Sequence, residues 1–202
     1  MRVRRPMKNC KRLPRKFYAR PVLVVAKELL GKLLVRKTED GMIVGRIVEV
    51  EAYGGSDDPA SHAYRGMTER NRVMFGKPGF AYVYFTYGCH YCLNVKAGKD
   101  GIPGAVLIRA AEIIDGAESA LQNRKLASVK GLSDGPGKLT KALSIDKDQN
   151  GLDFVKSNEL YICELEKSEN LEISTSPRIG IKAGSEKPWR LSLENKEKIP
   201  QA

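Results

Sequence analysis

The sequence predicts an α+β fold, a mainly antiparallel sheet with helices packed around it. Three observations carry that expectation. Pro21-Val-Leu-Val-Val-Ala-Lys-Glu-Leu-Leu-Gly31 has apolar spacing between a proline and a glycine, which reads as a helix with ordinary start and stop signals. Lys32–Arg36 and Met42–Tyr53 are rich in β-branched residues and flank Asp40-Gly41, a hairpin signal. Short apolar runs then follow one another with no internal repeat. Gly54–Arg72 is polar and glycine-containing, and a loop of that length in a compact domain tends to be functional. Phe80–Tyr87 reads as a strand broken at Gly88, and Tyr91–Val95 returns from it. Ala105–Ala111 is a further strand and Leu139–Leu143 a short helix. Leu160–Glu164, Leu171–Ser174, Ile179–Ile181 and Arg190–Leu193 read as short strands.

The 202 residues suit one domain. A chain of this size hides roughly 70% of its unfolded surface, so it needs neither disulfides nor a structural metal to fold. The longest aliphatic run, Val22–Ala26, is far short of the ~20 residues that cross a bilayer. The basic N-terminus is not followed by an apolar stretch with a cleavage site. A soluble, intracellular protein is expected. Residues 1–16 hold eight Lys or Arg and no acid, interrupted by Pro6 and Pro14, and read as a flexible basic arm. The domain then spans 17–195, with a tail at 196–202. A formal charge of +11 points to a polyanionic partner, nucleic acid first and an anionic membrane second.

Cys89 and Cys92 form a Cys-x-x-Cys, but zinc needs two more soft ligands, and only His62, His90, Cys10 and Cys163 remain. Positions three apart on a strand also point to opposite faces. Structural thiols are the expectation, and no metal site.

Chemistry is suggested in three places. In Ile47-Val-Glu-Val-Glu-Ala-Tyr53, strand alternation puts Ile47, Glu49, Glu51 and Tyr53 on one face and Val48, Val50 and Ala52 on the other. An ordinary amphipathic strand with a solvated acidic face has the same spacing. Two carboxylates are nonetheless out of place in so basic a chain if it faces a polyanion. Next, Tyr82 and Tyr84 share one strand face while Val83, Phe85 and Tyr87 share the other, with Tyr87 at the hairpin tip. Interleaved tyrosines beside basic residues suit base stacking, and a projecting aromatic can wedge between base pairs. Core packing is the plainer alternative. Finally, Gly135-Pro-Gly-Lys138 precedes a short helix but fails as a nucleotide phosphate loop, since its glycine spacing is off by one and Leu139 stands where Ser or Thr would hold Mg²⁺. It could still receive one backbone phosphate.

Val50-Glu51-Ala-Tyr53, His62, Asn71-Arg72-Val-Met-Phe75, Lys77-Pro-Gly79, Tyr82-Val-Tyr84, Tyr87-Gly88, Leu93-Asn94 and Leu107-Ile-Arg109 occur in this order with compatible spacing. Together they resemble the alkyladenine (3-methyladenine) DNA glycosylases. The resemblance runs from about Leu23 to Lys138 and continues more weakly through Arg178-Ile-Gly180 and Lys187-Pro188. It implies a single domain with a curved sheet and a protruding hairpin that enters the minor groove of double-stranded DNA and extrudes a damaged purine. Glu51 would be the general base, with Arg109 helping to hold the attacking water. Tyr53, His62 and Tyr84 would sandwich the base, Asn94 would crowd the guanine amine, and the Ile179 carbonyl would face the water. Tyr87 would fill the vacated gap, and Arg72, Cys89, His90 and Lys138 are expected at the DNA interface. Relatives often carry methionine after the tip glycine, where this chain has the shorter Cys89.

The resemblance implies hydrolysis of the N-glycosidic bond to leave an abasic site, by a monomer, with no cofactor. A non-catalytic damaged-DNA-binding domain shares the charge and the tyrosines but gives Glu51 no reason to face DNA. A nucleoside hydrolase would need the acid but has little use for the charge.

Overall fold

The computed structural model of the chain describes residues 10–164 and 171–194. Among the described residues, nine strands form one sheet, with seven in the order β1 (Lys11–Arg12), β7 (Leu160–Glu164), β2 (Leu33–Thr38), β3 (Gly41–Tyr53), β6 (Ala105–Asp115), β5 (His90–Lys96), β4 (Ala81–Thr86). Strand β8 (Ile173–Ser176) pairs with β9 (Arg190–Leu193), and β9 pairs with β3. All of these pairings are antiparallel. The expected α+β architecture is the one observed.

The longest strand, β3, organises the rest. Its first half pairs with β2 around a two-residue turn at Glu39-Asp40, one position before the expected Asp40-Gly41. Its later residues Glu49–Glu51 pair with β9, while β6 lies along its other edge. Beyond an irregularity between Val44 and Gly45, the β3–β6 register shifts between Ile47 and Glu49 and again between Glu49 and Val50. An extra residue in one strand rotates the side chains that follow it. Ile43 and Ile47 therefore enter the core from odd positions, and Val48, Val50 and Ala52 from even ones. The strict alternation expected from sequence fails here: Ile47 packs in the core rather than sharing a face with Glu49, Glu51 and Tyr53.

The main core lies between the sheet and the helices α1 (Arg15–Tyr18), α2 (Val22–Leu29), α3 (Ala117–Arg124) and α4 (Pro136–Ala142), and it contains Tyr18, Leu29, Leu93, Ile108, Leu139 and Phe154. Helix α2 appears where expected. Helix α3 was not foreseen, because Ala-Glu-Ser-Ala-Leu-Gln-Asn-Arg has little apolar period and buries only Ala120. The segment Ile179–Ile181 forms no strand; it is part of an irregular loop between β8 and β9. Among the described residues, no helix is long and apolar enough to cross a membrane.

The expected arm is structured from Cys10 onward. Lys11 and Arg12 pair with Glu164 and Cys163, and Cys10 is disulfide-bonded to Cys163. Arg15 donates to the Pro78 carbonyl and pairs with Asp153. Residues 1–9 and the tail at 196–202 lie outside the described residues. Neither the disulfide nor the β1 strand was foreseen, since partners 153 positions apart leave no local pattern.

Gly116 joins β6 to α3 with a left-handed φ of +73°, and a Cβ there would collide with the Met42 carbonyl oxygen and come within 2.9 Å of the Ile43 Cα. Gly116→Ala is expected to cost about 2–4 kcal/mol, from the left-handed backbone plus overpacking against β3. A urea melt checks this, and a change below ~0.5 kcal/mol, the range of neutral surface substitutions, would contradict it.

Candidate active site

A cavity of about 340 Å³ opens beside the β4–β5 hairpin, and its lining includes Glu51, Tyr53, His62, Tyr84, Tyr87, Asn94, Arg109 and Ile179. Every residue expected in the base pocket, at the wedge or at the catalytic carboxylate thus meets in one hollow. The volume falls in the range of small-ligand sites.

Glu51 is fully buried, at the end of β3. Its Oε2 accepts from the Tyr53 hydroxyl at 2.7 Å, and its Oε1 accepts from the Ile179 N–H at 2.8 Å. Arg109 Nη1 lies 3.3 Å from Oε1. Glu51 also lines the cavity, and a carboxylate offers about four acceptor directions, more than these two hydrogen bonds and one ion pair use. The resemblance placed the Ile179 carbonyl toward a water; the group that meets Glu51 is the Ile179 amide.

Arg109 occupies the second register shift, between Ile108, which pairs with Val50, and Ala110, which pairs with Glu49. From there its Nε donates to Glu49 Oε1 at 2.9 Å. Arg190 Nη1 reaches the same oxygen at 3.1 Å. Glu49 is therefore neutralised by two guanidiniums and works as a brace for Arg109. Burial alone would lower the Arg109 pKa, but Glu51 and Glu49 more than offset it and hold the cation.

The aromatic walls come from β4 and the loop after β3. The His62 and Tyr84 rings meet edge to face with centroids 4.6 Å apart, and Tyr82 and Tyr84 lie 5.3 Å apart. His62 Nδ1 is 2.8 Å from the Tyr82 hydroxyl. Burial lowers the His62 pKa, and the nearby Arg70 cation lowers it further. Burial pushes Tyr82 up to about 12. For Tyr53 and Tyr84, too, burial is the main cause of a raised pKa, so all three phenols stay protonated donors. Asn94 spends its amide N–H groups on the carbonyls of Tyr82, at 3.0 Å, and Cys92, at 3.5 Å. That fixes its side chain against the pocket wall.

The polar loop from Gly54 to Asn71 holds its shape through side-chain bonds to the backbone. Asn71 Nδ2 donates to the carbonyls of His62 and Gly66, and Asn71 Oδ1 accepts from the Thr68 N–H. Ser61 donates to the Gly54 carbonyl. The resulting order is what fixes His62.

Tyr87 is 81% exposed at the hairpin tip, with φ +52°, and Gly88 follows at φ +67°. A left-handed non-glycine residue costs roughly 1–2 kcal/mol. It also takes Tyr87 out of the strand alternation, so Tyr87 lines the cavity with Tyr84 instead of continuing the face of Val83 and Phe85. The expected interface residues lie outside this hollow. Cys89 and His90 border a second hollow with Gly137 and Lys141. Lys138 pairs with Asp134 at 2.8 Å, and Arg72 is largely exposed, 3.6 Å from Glu69. Such exposed pairs contribute at most ~1 kcal/mol. Sequence reasoning missed Cys92, Leu107 and Lys182 in the lining. Alternation from Asn94 could have found Cys92, whereas nothing local marks Lys182.

Residues 16–197 match the family model described as methylpurine-DNA glycosylase (MPG). A relative from Carboxydothermus hydrogenoformans is 50% identical over 187 residues, covering 93% of this chain and 97% of its own. Others from Desulfitobacterium hafniense (48%; 94% of this chain and 98% of its own) and Methanocella arvoryzae (49%; 91% and 92%) are similar. Each carries the assigned name 3-methyladenine DNA glycosylase.

The two histidines, His62 and His90, allow a direct test of the site's electrostatics by NMR titration. His62 should titrate below the free value of ~6.5, as burial and Arg70 require. The unfolded chain then takes up that proton first, so His62 makes the folded state less stable as pH falls through ~6.5. A midpoint at or above that value would contradict the described environment.

Proposed function

The chain belongs to the methylpurine-DNA glycosylase family, and from that premise we propose that it flips alkylated or deaminated purines out of duplex DNA and hydrolyses their N-glycosidic bond. The substrates would be 3-methyladenine, 7-methylguanine, hypoxanthine and ethenoadenine. The observation that carries this reading is a buried carboxylate, held by two hydrogen-bond donors and a guanidinium, in the lining of an aromatic cavity in a chain of net charge +11.

A base in a duplex is out of reach until it is extruded, at a cost of a few kcal/mol. Tyr87 offsets part of that by stacking in the gap. Alkylation at N3 or N7 makes a purine cationic, and a cation against aromatic faces gains about 0.5–2 kcal/mol. Tyr53, His62 and Tyr84 provide those faces, and a neutral His62 adds no repulsion. Asn94 stands where it would crowd the exocyclic amine of guanine.

Breaking the glycosidic bond builds positive charge on the sugar. Glu51 stabilises that charge and takes the proton of the attacking water at its remaining acceptor direction. Arg109 holds the carboxylate in place and, with it, the water. The products are free base and an abasic site. A cationic base leaves without protonation; hypoxanthine takes its proton through water. One subunit contains the whole site. Outside the cavity, Arg72, Cys89, His90 and Lys138 would contact the DNA on either side of the hairpin, the two cations meeting backbone phosphates.

Purified protein incubated in EDTA with methylated duplex DNA should release 3-methyladenine or 7-methylguanine. Glu51→Gln should bind the duplex and release none. Binding without release by both proteins would favour a damage-binding module. Tyr87→Ala should weaken affinity for lesion duplexes and spare single strands, and equal losses on both would remove the wedge role. Lys182 lines the cavity, so borohydride trapping belongs in the same assay. A covalent adduct that disappears in Lys182→Ala would replace simple hydrolysis by an amine-dependent reaction.

A further inference from the structure

Both uncharged donors to Glu51 adjoin the same residue, Arg178. Ile179, whose N–H meets Oε1, is its neighbour in sequence. Tyr53, whose hydroxyl meets Oε2, has its ring 4.8 Å from the Arg178 guanidinium, and Trp189 lies 5.3 Å from the same group.

Arg178 forms a fully buried, two-pronged ion pair with Asp58, Nη1 to Oδ2 at 2.6 Å and Nη2 to Oδ1 at 2.7 Å. Its remaining bonds go to the carbonyls of Ala52 and Gly184, each at 3.0 Å. Asp58 also accepts the N–H groups of Gly54, at 2.9 Å, and Ala60, at 3.3 Å. One planar fork therefore joins three segments: the end of β3, the loop that leads to His62, and the loop that carries Ile179. Burial would raise the Asp58 pKa, but the bonds from Arg178 and Gly54 more than reverse this and keep it low.

A buried ion pair is a poor device for stability alone, since apolar residues of like volume often do as well. What the fork supplies is fixed geometry, because both prongs and both planes must align. The geometry points to Arg178, held by Asp58, as a positioning residue for Glu51. It sets the Ile179 N–H and the Tyr53 ring so that their two donors fix the carboxylate's orientation. This rests on the glycosylase reading above.

The test is single-turnover base release by wild type, Arg178→Lys, Asp58→Asn, Tyr53→Phe and the Arg178→Lys/Tyr53→Phe double variant. Lesion-duplex affinity and thermal melting are measured alongside. Arg178→Lys keeps the charge and loses the fork, so the rate should fall on the order of 10²-fold, as misplaced catalytic groups do, with affinity retained. The losses in the double variant should combine to less than their product, since both act through one carboxylate. Fully multiplicative losses, an affinity that falls in step with the rate, or a rate loss that tracks melting would overturn the proposal. If Arg178→Lys does not fold, Asp58→Asn is read by the same criteria; if neither folds, the pair is a structural pin and the proposal falls. An inactive wild type removes the glycosylase reading and this proposal together, whereas an active wild type with unaffected variants removes the proposal alone.

Discussion

Everything at the site depends on where β3 changes partners. At Ile47–Glu49 the strand passes from β2 to β9 on one edge while its register with β6 shifts on the other. A one-residue shift reverses which side of a sheet every later side chain faces. Without it, the odd positions that bury Ile43 and Ile47 would also bury Glu49, Glu51 and Tyr53 in the apolar core. The shift sends Val48, Val50 and Ala52 inward instead, and it turns Glu51 and Tyr53 toward the cavity. The second shift makes Arg109 the extra residue of β6 at the same level, within reach of both acids. Two adjacent irregularities in the sheet thus place the carboxylate and its cation.

That placement reconciles a strongly basic chain with a buried acid in its aromatic cavity. A bare carboxylate facing DNA would repel it and, once buried, would tend to take up a proton. Here Glu49 is matched by Arg109 and Arg190, and Glu51 is met by Arg109, a phenol and a peptide N–H. The acids are locally balanced, and the excess positive charge is free to meet phosphates. The aromatic walls are equally constrained. His62 is tied to Tyr82, and the loop beneath it is tied by Asn71. Tyr87, also in the lining, stands out into solvent at 81% exposure in a left-handed turn at the hairpin tip.

The parts of this arrangement that obey local rules were legible in the sequence. Alternation from Glu49 to Tyr53 put two acids and a tyrosine on one face, and the β4–β5 hairpin could be read from its tyrosines and Gly88. The order of motifs from Glu51 to Arg109 then picked out the residues that converge in the cavity. What was hidden depended on long separations or broken periods. The β3 shift is invisible because Val-rich sequence reads the same in either phase. Asp58 and Arg178, or Cys10 and Cys163, are joined only once the sheet has formed. Ile179 was expected in a strand on its apolar character, but the adjoining Arg178 draws that segment into a loop whose amide turns toward Glu51. Helix α3 escaped notice because it buries a single alanine.

The most direct test of this account is a structure of the Glu51→Gln protein bound to a duplex that carries one ethenoadenine. The account predicts the damaged base in the cavity among Tyr53, His62 and Tyr84, the glycosidic carbon facing residue 51, and Tyr87 stacked in the vacated gap. A fully stacked duplex lying on another face, with the cavity empty and Tyr87 away from the DNA, would contradict it.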